Sequence, residues 1–205
     1  MDFVVLSGVL EWAGEGDTDQ YLEGSKLQRL LNSLRSPFGE RSPRLIQLNF
    51  LREIRRILKP EGQIFVAIEN RLNYEYFLGR RDHHSFLKYG SLLPRVLANL
   101  WSLYKRRQPY RTYTHSLMAY KRLMADAGFP MCDILGMLQG YSKVNEIVPA
   151  SGSFPYWRPV EGKNWSWKLK RSSLFVPAYG IIGSSQPRPW GSLQEGIHTR
   201  IAAAL

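Results

Sequence analysis

Two carboxylates in this 205-residue chain stand in similar surroundings, each close behind an apolar run. Glu11 follows Phe3-Val4-Val5-Leu6 through Ser7-Gly8-Val9-Leu10, and Glu69 directly follows Ile64-Phe65-Val66-Ala67-Ile68. A carboxylate at a strand end has two readings. It is a base or a holder of a cationic or hydroxyl group, or it is a cap or salt-bridge partner. Asn70 and Arg71 come straight after Glu69 and face the same choice between ligand contact and strand-end capping. Asp82, His83 and His84 form a polar cluster further on. A histidine there serves as a base near neutral pH, or it is an ordinary surface-loop residue. His115 falls in the first turn of a helix and reads as structural. No further ligands recur at metal-site spacing, so no metal centre is predicted.

The elements that must position these residues are legible in outline. Phe3 to Leu6 is a continuous apolar run, the pattern of a strand covered on both faces. Residues 13 to 24 are polar and Gly-rich, hence a loop. Leu27, Leu30, Leu31 and Leu34 make one stripe of a short helix that Ser36-Pro37-Phe38-Gly39 breaks. Ser42 is an N-cap with Pro43 at the first helical position. Ile46, Phe50, Leu51, Ile54, Ile57 and Leu58 then recur at helical spacing, with Arg52, Arg55, Arg56 and Lys59 largely outside the stripe. Pro60-Glu61-Gly62 ends that helix, and Ile64 to Ile68 is a second buried strand. Helix, turn and strand at this spacing make half of a right-handed β-α-β crossover.

Residues 71 to 111 form a long connection, a length that is usually functional. Within it, Leu93, Val96, Leu97, Leu100, Trp101 and Tyr104 make an apolar helical stripe, while Arg95, Asn99 and Ser102 lie off it. The stripe has three readings: core packing, a lid over a pocket, or contact with a membrane surface through residues 91–107. A helix is predicted from an N-cap at Thr114 to Ala127, with Gly128 at the left-handed position after it. Strands are predicted at Asp133 to Leu138, Lys143 to Val148 and Leu174 to Ile182. Residues 149 to 171 read as a long hairpin or loop, and the tail from Gly183 as irregular, with a short or frayed helix at Ile197 to Leu205. No internal repeat is found.

Composition narrows the classes. With 44% hydrophobic residues the chain can bury a sizeable core. Its single cysteine, Cys132, excludes a disulfide framework and points to a reducing, cytosolic setting. No basic stretch precedes the first apolar run, and no apolar run approaches the length of a spanning helix. The net charge of +11 suggests an anionic partner or a solvated basic face. Basic residues cluster locally at Lys105-Arg106-Arg107 and Lys168 to Arg171, without the signature of a nucleic-acid-binding module.

Three stretches in order resemble the class I S-adenosylmethionine-dependent methyltransferases over roughly residues 2 to 138. Ser7-Gly8-Val9-Leu10-Glu11-Trp12 is similar to the end of the family's fourth strand. Arg52 to Gly62 resembles its helix-to-strand signature, where Leu-Lys-Pro-Gly-Gly is common; Leu58-Lys59-Pro60-Glu61-Gly62 departs at Glu61. Arg111 to Phe129 resembles the helix before the sixth strand, ending in Ala127-Gly128-Phe129. Ile68-Glu69-Asn70-Arg71, with Phe77-Leu78-Gly79 and Asp82-His83, is also similar to a bacterial subgroup of sugar or surface-polysaccharide pathways.

The resemblance implies an α/β fold: a partial Rossmann-like sheet with flanking helices and a helical insertion at about 71–111. It implies S-adenosylmethionine as cofactor and a small-molecule or glycan acceptor. Ser7, Gly8, Val9 and Trp12 would line the cofactor. Glu11 would hold its amino group or act as a base, and His83 is a second candidate base. Glu69, Asn70, Arg71 and His84 would face the acceptor. The family's Gly-rich cofactor loop has no counterpart; Gly14-Glu15-Gly16 is nearest, but it follows the wrong strand and reads as a plain loop. Residues 1–148 are therefore expected to be the C-terminal part of a methyltransferase domain, and 149–205 a loop-rich extension with a possible last strand. Lacking a first-strand neighbour, Phe3 to Leu6 would be an open apolar edge. A missing N-terminal half or a partner chain would complete the sheet. The alternative is a non-catalytic protein that keeps part of the fold.

Overall fold

Parallel strands need a crossover, and the first seventy residues supply one. β1 (Phe3–Ser7) and β2 (Gln63–Glu69) pair in parallel, with Phe3 opposite Gln63 and Ser7 opposite Ala67. Between them runs α1 (Pro43–Ile57). Its start is set locally: Ser42 Oγ accepts from the Leu45 amide at 3.3 Å, and Pro43 stands where a missing N–H costs nothing. Its end is closed by Arg55, whose guanidinium donates to the Leu58 and Lys59 carbonyls at 3.4 and 3.0 Å. The computed structural model describes residues 1–13, 42–82, 85–107, 110, 112–144, 146–151 and 172–187, together with 25, 28, 31 and 32. Most of the predicted 27–34 helix, Gly14-Glu15-Gly16, the 152–171 loop, Lys168 to Arg171 and the C-terminal tail lie outside these residues.

The remaining helices are α2 (Tyr74–Phe77), α3 (Arg95–Arg106) and α4 (Leu117–Asp126), and the remaining strands are β3 (Met131–Leu138), β4 (Glu146–Ser151) and β5 (Ala178–Ser184). The five strands form one mixed sheet in the order β1-β2-β5-β3-β4. β5 runs antiparallel to both β2 and β3, so β3 runs in the same direction as β1 and β2. The carboxyl ends of β1, β2 and β3 therefore share one edge of the sheet. The stretch expected to be a C-terminal extension thus supplies the middle strand. Pro177 falls just before β5, where it has no N–H to donate, and its carbonyl accepts from the Asn70 amide at 3.0 Å.

The core lies between the sheet and the helices α1 and α4. Leu51, Ile64, Val66, Ile68, Leu123 and Ile181 belong to one buried cluster. α4 is preceded by Ser116 as its cap residue, not by Thr114; Thr114 is buried instead, and its carbonyl accepts from Arg95. Gly128 takes the left-handed conformation at φ 94° and turns the chain so that Phe129 enters the core.

Two predicted faces differ from the observed ones. β1 is covered on one face only: Leu6 is buried, but Phe3 and Val5 are 53% and 58% exposed. Among the described strands it lies at the sheet edge, and no described element covers that face. α3 is turned round. Ala98, Asn99 and Ser102 are buried, while Leu97, Leu100, Trp101 and Tyr104 of the apolar stripe are exposed. The polar side of α3 has partners inside. Arg95 donates to the Thr112 and Thr114 carbonyls at 2.5 and 3.3 Å and lies over the Tyr110 and Tyr113 rings. Asn99 Oδ1 accepts from the Tyr110 amide at 3.1 Å.

Candidate functional site

The shared carboxyl edge carries three loops, one after each of β1, β2 and β3. After β1 the Gly8 amide still donates to the Ala67 carbonyl at 3.0 Å, and Gly8 then turns at φ 63° into a short 3-10 turn, Leu10–Trp12. Gln47 of α1 clamps that turn, its Nε2 donating to the Leu10 carbonyl at 2.9 Å and to Tyr113 at 2.8 Å. Glu11 is wholly buried there. β2 ends on the buried Glu69, and the buried Asn70 follows it. After β3, Gln139 and Gly140 both take left-handed conformations, φ 66° and 88°. For Gln139 this conformation costs energy, of the kind that persists where the surrounding structure holds it. The double turn carries Tyr141 back across the strand ends to Gly8 and Glu11.

Two phenols meet the two carboxylates. Tyr141 donates to Glu11 Oε1 at 3.2 Å, and Tyr76 of α2 donates to Glu69 Oε2 at 3.1 Å. Burial, with the neighbouring carboxylate charge second, pushes both phenols well above their ordinary range. They stay protonated and act as donors, so the basic oxygens of the cluster belong to the carboxylates. A pocket of about 120 Å³ opens beside Glu69, lined by Asn73, Tyr76, Arg80, Gln139 and Tyr141. It has room for one end of a polar molecule; pockets that enclose a whole drug-sized ligand run to about 300 Å³ and more. At its rim Arg80 pairs with Glu75, which also takes a hydrogen bond from Asn73 Nδ2 at 3.3 Å.

The residues singled out in the sequence meet different fates. Glu11 and Glu69 are brought to one polar cluster through Tyr141 and Tyr76. Asn70 and Arg71 are turned to other work. Asn70 Nδ2 donates to the Leu174 and Val176 carbonyls, each at 2.8 Å, and its Oδ1 accepts from the Leu72 amide, so the side chain ties the run into β5 to the end of β2. Arg71 donates to the Ser91 and Leu93 carbonyls at 2.7 and 2.5 Å and anchors the long connection. Ser7 and Val9 are exposed and Trp12 is partly buried; none of them lines the pocket. His83 and His84 lie outside the described residues. His115 is structural: its Nε2 meets Gln47 Oε1 at 2.7 Å, and burial, helped by the nearby Arg95, Arg71 and Arg44, lowers its pKa to about 3.

Beside Gly8 the described residues leave little space. A side chain at Gly8 would meet the Tyr141 hydroxyl at 2.6 Å, so the space beside that glycine is filled by the protein itself. Among the described residues no group of three or more His, Cys, Asp or Glu could hold a metal ion, and no helix is long and apolar enough to cross a membrane. Tyr76, Tyr141 and Gln139 were not foreseen. The signal for the last two is their place: Gln139-Gly140-Tyr141 follows a strand whose carboxyl end shares an edge with two others, where α/β sheets bind ligands. Comparisons with protein-family models, curated proteins and solved structures return no match for this chain.

Proposed function

We propose that this chain carries the acceptor side of a class I S-adenosylmethionine-dependent methyltransferase acting on a small molecule or a glycan. The observation that supports it best is the polar pocket beside Glu69, at the carboxyl edge of parallel strands joined through α1. In this reading Glu69 takes the proton of an acceptor hydroxyl, Tyr76 holds the carboxylate in place, and Arg80 and Asn73 orient the rest of the acceptor. The cofactor, when bound, supplies an activated methyl group. In this reading its binding surface belongs to a layer packed on the edge of β1. The exposed Phe3, Val5 and Val9 suit such a layer, as do Phe50 and Ile57 of α1, which are 36% and 41% exposed.

Complementation tests the reading. The chain is produced alone and together with the segment encoded upstream, and both are titrated with S-adenosylmethionine by calorimetry. Micromolar binding by the pair and none by the chain alone is the expected result. In a competent pair, Glu69→Gln abolishes methyl transfer and leaves cofactor binding intact. An upstream frame with no Gly-rich loop, or a pair that binds nothing, sinks the proposal. A second reading, a non-catalytic partner that keeps part of the fold, draws support from Tyr141 filling the space beside Gly8. Micromolar binding by the chain alone counts against it.

A further inference from the structure

An amphipathic helix that presents its apolar stripe outward calls for an occupant. On α3, Leu97 is 50% exposed, Trp101 38% and Tyr104 76%. Ordinary core packing is closed to this stripe, because α3 is fixed by its other side. Rolling the helix over would tear Arg95 from two carbonyls and Asn99 from the Tyr110 amide. Those groups would then be buried without partners or exposed at the loss of their bonds.

The charge around the stripe selects the occupant. The helix sequence, Arg-Val-Leu-Ala-Asn-Leu-Trp-Ser-Leu-Tyr-Lys-Arg, holds no acidic residue. Lys105, Arg106 and Arg107 are exposed at its C-terminal end. Lys105 Nζ sits 5.1 and 5.2 Å from the Trp101 and Tyr104 ring centres, so cation and aromatics form one surface. Residues 71 to 111 contain nine basic and two acidic residues, and so carry +7 of the chain's +11. The same connection also exposes Phe77, Leu78 and Phe86 beside Arg80, Arg81 and Lys88. Leucines with Trp and Tyr, flanked by Lys and Arg, are what the boundary of an anionic bilayer accommodates: the apolar side chains enter the acyl margin, the aromatics sit at headgroup level, and the cations meet lipid phosphates. A second copy fits this face less well, since it brings an equally basic helix against it.

We infer that α3 lies on the surface of an anionic membrane, apolar stripe down, and holds the chain there. The inference does not depend on how the pocket is read. Co-sedimentation of the whole chain with vesicles tests it, comparing phosphatidylcholine alone with phosphatidylcholine mixed with phosphatidylserine. Binding to the mixed vesicles is expected, weakening as salt rises. Lys105→Glu with Arg106→Glu lowers affinity by roughly fivefold or more per charge. Leu97→Ser with Trp101→Ala lowers it at least about tenfold, with circular dichroism unchanged because both residues are exposed. Three results overturn the inference: no binding to the mixed vesicles; binding that the Leu97 and Trp101 changes leave intact; or gel filtration showing a dimer that those changes dissociate, which gives the face to a second copy.

Discussion

α1 and α3 are both amphipathic helices with a clear apolar stripe, and they face opposite ways. α1 buries Leu48, Leu51 and Ile54 against the sheet and admits one polar residue, Gln47, whose amide is fully used. α3 buries Ala98, Asn99 and Ser102 and leaves Leu97, Leu100 and Trp101 outside. The periodicity of apolar residues announces a helix in both cases. It does not say which side is inward. That is settled by whether the polar side finds partners in distant segments: on α3 it does, through Thr112, Thr114 and Tyr110.

Four measurements press on this contrast. The largest effect is expected for Leu51→Ala, at a wholly buried position of α1. It should lower unfolding stability in urea by about 2–5 kcal/mol. A loss under about 1 kcal/mol would mean that α1 is not seated as described. Next comes Arg95→Ala, which leaves two inward carbonyls without their donor. A loss of roughly 2–4 kcal/mol is expected, and an unchanged urea midpoint would show that the polar side of α3 does not anchor it.

The third measurement concerns pH and the Gln47 clamp under α1. The folded pKa of His115, about 3, lies below the unfolded value near 6.5. The unfolded chain therefore takes up a proton first as pH falls. Stability from this group is complete above about pH 6.5 and is lost as pH drops toward 3, by up to about 2 kcal/mol at pH 5. His115→Gln should flatten the stability curve between pH 6.5 and 5; an identical slope in both proteins would refute the assignment. The smallest effect is the sharpest contrast with Leu51. Leu97→Ser on α3 should move stability by no more than about 0.5 kcal/mol, and a loss of several kcal/mol would put that stripe in a buried contact.

The candidate site was legible in part. Glu11 and Glu69 could be picked out because each follows an apolar run at a strand end. Asn70 stood in the same pattern, yet its amide is spent on the Leu174 and Val176 carbonyls, more than a hundred residues along the chain. Nothing near Asn70 announces that. Tyr141 is 130 residues from Glu11 in sequence and meets it because β3 ends on the edge where β1 ends. The pairing of β1 with β2 around α1 was legible from two apolar runs with a helix between them, whereas the insertion of β5 between β2 and β3 was not.

The sequence by itself determined what short-range chemistry can determine. Ser42 and Pro43 start α1, Gly62 and Gly128 allow the turns after α1 and α4, and apolar runs mark β1 and β2, because caps, turns and strand propensity act within a few residues. The tertiary structure alone decided the middle place of β5, the outward face of α3 and the meeting of Glu11 with Tyr141. Each of these depends on long-range hydrogen bonds whose partners are fixed only once the sheet has assembled, and no local pattern of residues encodes them.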